Sequence, residues 1–128
     1  MNVESRSVID ILLDLKPQAL PRKEVKIKRL SKLSAYDVIF EVSALPYSTI
    51  SYIRGEDDDE ISLNIVTEGL ISPSLRDPKL LEHYGSPTPF ELLRNPAFLL
   101  PGEVEDLQRE IELLSGYRGI TIEDVKKN

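Results

Sequence analysis

Two charge runs and one histidine carry most of the chemistry this sequence offers. Glu56-Asp57-Asp58-Asp59-Glu60 places five acids in a row. A calcium loop needs oxygen ligands at alternate positions, a glycine turn and a distal bidentate Glu. This run is contiguous and leads straight into an apolar, helix-spaced segment, so alternate side chains diverge instead of converging. It reads as a solvated loop and the charged start of a helix. Between residues 22 and 32, six cations face a single acid, Glu24. A nucleic-acid surface would interleave such cations with aromatic rings for stacking, but the interleaved residues are Val25 and Ile27. The run reads as a solvated edge strand whose lysines discourage other strands from pairing with it, or as a contact for acidic parts of another copy or a partner. His83, between Glu82 and Tyr84, falls at the end of a short helix, where it complements the negative end of the helix dipole.

Catalytic arrangements find little material. The chain has no cysteine and one histidine, which excludes disulfide frameworks, thiolate zinc sites, cysteine nucleophiles and multi-histidine metal centres. Serines are plentiful, yet none sits in a recognisable nucleophile turn. The carboxylates of the segment Glu103–Glu112 lie on the polar face of its helix, whereas catalytic acids need a shielded cleft to separate their pKa values. No enzyme activity, cofactor or metal is expected.

The elements that would position these groups follow from composition and patterning. At 128 residues and a net charge of −6, the chain is expected to form one domain (1–128), soluble, cytoplasmic and unattracted to nucleic acid. The charge is uneven: the first 32 residues carry +4 and the remainder −10. No apolar run is long enough to span a membrane, and Glu4, Asp10 and Asp14 make the N-terminus unlike a signal peptide. Six of the nine prolines fall between 73 and 101, and 22–45, 47–72 and 102–128 contain none. Proline is excluded from helix interiors and central strands, so the long elements belong in those windows.

Val8–Leu15, capped by Ser7 and ended by Pro17, predicts a short helix that packs or frays, with 1–20 as a loosely held N-terminal element. Arg22–Leu30 alternates in the β manner, and Asp37–Leu45 is a second β-branched run. Together they predict an antiparallel hairpin over about 22–45, joined around Ser31–Tyr36. Pro46 opens a helix to Arg54 that stops near Gly55. Ile61, Ile65, Val66 and Leu70 share one helical face. Asp77-Pro78 caps Lys79–Tyr84, with Gly85 as the stop. Thr88-Pro89-Phe90-Glu91 predicts a capping box in which the Glu91 side chain reaches back to the Thr88 amide. Pro101-Gly102-Glu103 opens the best helix, with Val104, Leu107, Ile111 and Leu114 as its apolar stripe and Gly116 as its end. Thr121–Lys127 could add one or two turns within a mobile tail, 118–128. The class is α+β, mainly helical, with the hairpin packed against several short helices.

One series of segments carries a resemblance. Leu75-Arg76-Asp77-Pro78-Lys79-Leu80-Leu81-Glu82-His83-Tyr84-Gly85 leads to Thr88-Pro89-Phe90-Glu91-Leu92-Leu93. Then come Leu99-Leu100-Pro101-Gly102-Glu103-Val104 and Leu113-Leu114-Ser115-Gly116-Tyr117. In this order they resemble the XkdN-like tail assembly chaperones of tailed phages and defective prophages. Lys23-Glu24-Val25 and Arg29-Leu30-Ser31 look similar too, so the resemblance spans nearly the whole chain. It implies a non-enzymatic protein with no catalytic residues. Such a protein would bind the long helical tape measure protein, help tail tube protein polymerise around it, and be absent from the finished particle. A longer form produced by ribosomal frameshifting is a further implication, to which an adenine-rich tract encoding Lys126-Lys127-Asn128 would be suited. The expected client contacts are parts of the stripe Val104, Leu107, Ile111, Leu114 or of Ile61, Ile65, Val66; the competing expectation is that both stripes are core. Self-association, a structural or adaptor role in the tail, and a nucleic-acid-binding regulator acting through the basic strand are the alternative functions.

Overall fold

A computed structural model describes residues 6–55 and 60–126. In chain order the described elements are α1 (Val8–Asp14), β1 (Arg22–Lys26), α2 (Lys28–Leu33), β2 (Ile39–Ser43), α3 (Tyr47–Arg54), α4 (Ile61–Gly69), β3 (Leu70–Ser72), α5 (Pro78–His83), α6 (Pro89–Arg94) and α7 (Pro101–Leu114). The strands form one antiparallel sheet in the order β1-β2-β3. The α+β class is as expected.

Helix starts follow the local chemistry. Ser7 accepts from Asp10 N, Asp77 from Lys79 N and Thr88 from Glu91 N, each satisfying an amide that the first turn leaves free. The capping box predicted for α6 is only half made, because the Glu91 carboxylate gives Thr88 N no acceptor. The return bond occurs instead on α7, where Glu103 Oε1 accepts from Leu100 N at 2.7 Å. Pro46 precedes α3 as its flanking residue rather than opening it. At the end of α7, Gly116 takes a φ of 90°, and Tyr117 N donates back to Glu112 O at 2.9 Å, closing the helix.

Three expectations are corrected. The hairpin is not a simple two-strand loop: β1 stops at Lys26, and Lys28–Leu33 forms a helical turn before β2. Alternation over 22–28 conceals this: Ile27 continues the strand period of Val25, while its three-residue spacing to Leu30 belongs to a helical turn. Two bonds fix the return: Ile27 N donates to Val38 O and Ser31 Oγ accepts from Val38 N at 2.8 Å. Secondly, Leu70 and Ile71 do not continue α4. The helix ends at Gly69 and the chain passes directly into β3, with Leu70 opposite Val42 and Ser72 opposite Glu41 across a bulge. A short third strand cannot be told from a helix end by an apolar run alone. Thirdly, Thr121–Lys126 adopts no helix; Lys127 and Asn128, like the acids 56–59, lie outside the described residues.

The core is built around α4, which touches α3, α6, α7 and β3, while α7 also lies against β2. Val42, Ile50, Ile53, Ile65, Val66, Leu92, Leu99, Leu107 and Ile111 are its most deeply buried members. Phe40 of β2 stacks on Phe98 at 6.3 Å, and Tyr84 meets the other side of the same cluster 5.2 Å from Phe98. Leu45 N donates to Ser115 Oγ at 2.9 Å, tying the end of β2 to the end of α7.

Candidate protein-binding surface

The two apolar stripes turn out to face into the core. Val104, Leu107 and Ile111 on α7 and Ile65 and Val66 on α4 are buried, while Leu114 and Ile61 at the stripe ends are partly buried against the same cluster. The two helices are pinned side by side, with Ser62 Oγ on α4 donating to Gln108 Oε1 on α7 at 2.6 Å. Their apolar area is therefore used within the domain. Only Ile61 and Leu114 keep surface that a second molecule can reach while the fold stays intact.

The exposed apolar surface lies elsewhere. Every residue of α1 is exposed, including Val8 at 70% and Leu13 at 77%. Val8, Leu12 and Leu15 share one helical face, Ile9 and Leu13 widen it, and no other described element covers it. An isolated helix shorter than about 12 residues is marginal in water. Local contacts hold α1: the Ser7 cap and an Arg6–Asp14 ion pair that spans it. Sequence patterning placed these residues on a helix, but an apolar stripe that packs and one that stays open are spelled the same way.

A second feature missed at the level of sequence is the anchorage of the basic segment. Arg29 does not point into solvent; its Nε and Nη2 reach both carboxylate oxygens of Glu103, at 3.0 and 2.9 Å, and Nη2 also donates to Phe98 O at 3.0 Å. This fork fastens α2 to the start of α7. Accepting from Arg29, and then from Leu100 N, holds the Glu103 carboxyl below the usual carboxylate range, and the same bond raises Arg29. Lys23 pairs with Glu110 farther along α7, so β1 and α2 run beside α7 along a line of ion pairs. The basic run is thus largely a seam within the fold.

His83 ends α5 and sets its ring edge-on to Tyr84 at 4.7 Å. Among the described residues, no three acidic or histidine side chains converge as metal ligands would, and no helix is long and apolar enough to cross a membrane. What this α+β fold presents to a partner is apolar helix surface and charged rims, the material of protein–protein contact.

Comparison with known proteins gives that surface a context. The family of phage XkdN-like tail assembly chaperone proteins matches residues 53–127. The chain belongs to this family. The match takes in the segments from Leu75 to Tyr117 that carry the resemblance and begins after Lys23–Val25 and Arg29–Ser31. Among solved structures, the crystal structure of the protein YqbN has a similar fold, with a TM-score of 0.58 and 20% identity over 78% of this chain and 90% of that one. No curated protein matches.

Proposed function

We propose that the chain is a non-enzymatic chaperone that binds the tape measure protein, keeps this long helical client soluble and assists tail tube protein in polymerising around it. Membership of the tail assembly chaperone family supports the reading. The observation that carries it to particular residues is α1, an amphipathic helix whose apolar face has no partner among the described residues. A helical client with apolar stripes is matched by such a face, packed helix against helix, with Ile61 and Leu114 as accessory contacts. The buried members of the two stripes serve by holding α4 and α7 together. The acidic remainder of the chain keeps the complex soluble. On this reading the protein acts in the bacterial cytoplasm, leaves before the particle matures, and shares its client with a frameshifted longer form.

The test is affinity capture from cells expressing the whole tail operon, with bound proteins identified by mass spectrometry. Recovery of the tape measure protein, reduced by Leu12→Ser with Leu13→Ser, is the expected result. Recovery of tube or baseplate proteins alone, with the chain present in finished particles, would make it a structural component of the tail.

A further inference from the structure

The sheet has an open edge, and the charges along it select what can cover it. β1 is the outer strand in the order β1-β2-β3, so no described strand pairs with its far side. Ile27 N donates to Val38 O at 3.0 Å and Ala44 N to Pro21 O at 2.9 Å. With Lys23 opposite Val42 and Val25 opposite Phe40, the pairs bonded to β2 fall at residues 21, 23, 25 and 27. The amides and carbonyls of Arg22, Glu24 and Lys26 therefore point away from β2, and all three residues are exposed. A groove of about 510 Å³ lies between β1 and α7, with Val25, Ile27 and Leu107 in its lining.

Charge alternates along this edge. Arg22, Glu24 and Lys26 share the face of the sheet opposite Phe40 and Val42, across from Ser43, Glu41 and Ile39 of β2. Arg22 pairs with Glu41 at 3.7 Å and Lys26 with Asp37 at 3.1 Å. Glu24 has no cationic partner among the described residues and stands directly opposite Glu41. Like charges in that position cost stability. A strand on the free edge that sets a cation beside Glu24 relieves the conflict.

β1 itself supplies that cation. We infer that β1 of one copy pairs antiparallel with β1 of a second copy about a two-fold axis at Val25, joining two three-stranded sheets into one. Such pairing requires outward-pointing residues to meet outward-pointing ones, and the registers centred on Lys23, Glu24 and Val25 overlap most of the strand. Centred on Glu24, the pairing opposes Glu24 to Glu24 and Arg22 to Lys26, like charges throughout. Centred on Lys23, it opposes Lys23 to itself and carries Lys26 past the start of the other strand. Centred on Val25, it sets Glu24 opposite Lys26 of the other copy on both sides of the axis. Each of those pairs exchanges both N–H···O bonds, and the half-buried Val25 packs on its own counterpart. The exposed Lys26–Asp37 pair is worth little alone, and an ammonium has donors for both acids. Pairing stops where Lys28 begins α2. Lysines on an edge discourage unselected strands; Glu24 between them admits this one.

Charge reversal tests the pairing. By sedimentation at millimolar concentration the unaltered chain should be a dimer, and Glu24→Lys and Lys26→Glu should each be monomeric. An equimolar mixture of the two variants should dimerise again, because every lysine at these positions then faces a glutamate. Because the sequence lacks cysteine, single cysteines report the register. Val25→Cys should cross-link to its own copy under mild oxidation, since a Cα separation of about 4.5 Å suits a disulfide. Glu24→Cys, about 7–8 Å from its counterpart on the diagonal, should cross-link far more slowly. In the unaltered chain the Glu24 and Lys26 amides should gain protection from hydrogen exchange as concentration rises. A monomer at millimolar concentration overturns the inference, as does a dimer that survives both single reversals. Faster cross-linking of Glu24→Cys than of Val25→Cys overturns it too. A dimer lost in Leu12→Ser but kept in Glu24→Lys would place the contact on α1, and edge protection that appears only with tape measure protein would assign the edge to the client; either result overturns it.

Discussion

Ile111 rests directly on Gly69: a Cβ built at residue 69 would lie 2.6 Å from Ile111 Cδ1 and 2.8 Å from both Cγ atoms. The absence of a side chain at the end of α4 is what lets α7 approach, and Ile111 fills that space completely. Gly69→Ala is expected to cost about 1–3 kcal/mol through overpacking. Adding Ile111→Val, which on its own removes a buried methylene at about 0.5–1.5 kcal/mol, should recover part of the loss. Urea unfolding of the two single variants and the double variant measures this coupling, and simple additivity would show that the two residues do not share the site.

The Arg29–Glu103 fork predicts a dependence of stability on pH. The folded-state pKa of Glu103 is lowered, chiefly by the Arg29 hydrogen bonds, from an ordinary value of 4.5. Below its ordinary value the unfolded chain takes up the proton before the folded one does. The contribution is therefore complete above that value and is lost as pH falls through the lowered folded one. Glu103→Gln should lower stability at pH 7 by about 1.5 kcal/mol and flatten the acid limb. Denaturation midpoints of both proteins between pH 7 and 3 should converge toward the acid end; parallel curves would remove the fork as a contributor.

Thr67 is buried on α4, and its Oγ1 has no hydrogen-bond partner among the described residues. An unpaired buried hydroxyl costs about 1–3 kcal/mol relative to a satisfied one. Thr67→Val keeps the shape and removes the polar atom, so it should leave stability unchanged or raise it by up to about 1 kcal/mol. A fall in the thermal midpoint would mean that the hydroxyl is satisfied in solution.

Exposed and buried apolar residues should part company in their effects. Leu12→Ser with Leu13→Ser alters only α1, so stability should change by less than about 0.5 kcal/mol while capture of the tape measure protein falls. Leu107→Ala opens a cavity where the side chain is only 2% exposed and should cost about 2–5 kcal/mol. Circular dichroism melts set beside binding assays separate the two. Unchanged client binding in the folded α1 variant would remove that helix from the interface.

Capping residues made the helix starts legible in the sequence, because a cap is a bond between near neighbours and needs nothing from the rest of the fold. Ser7, Asp77 and Thr88 fix the beginnings of α1, α5 and α6, and Gly116 the end of α7, through contacts within five residues. β2 was legible for the same reason: a β-branched run is spelled locally. The segment Leu75–Tyr117 was also enough to indicate the family.

Tertiary structure decided which apolar faces are used up. Val104, Leu107 and Ile111 and the residues of α1 follow similar helical spacings, yet the first group is buried and the second is open. The difference lies in what stands opposite, and that is set by long-range packing such as Gly69 beneath Ile111. The same holds for Arg29, whose partner Glu103 is 74 residues away, and for Leu70, which becomes a strand because β2 offers it an edge. Composition supplies the capacity for a helix, a strand or an ion pair; only the folded chain determines which of these find a partner within the molecule and which are left for another.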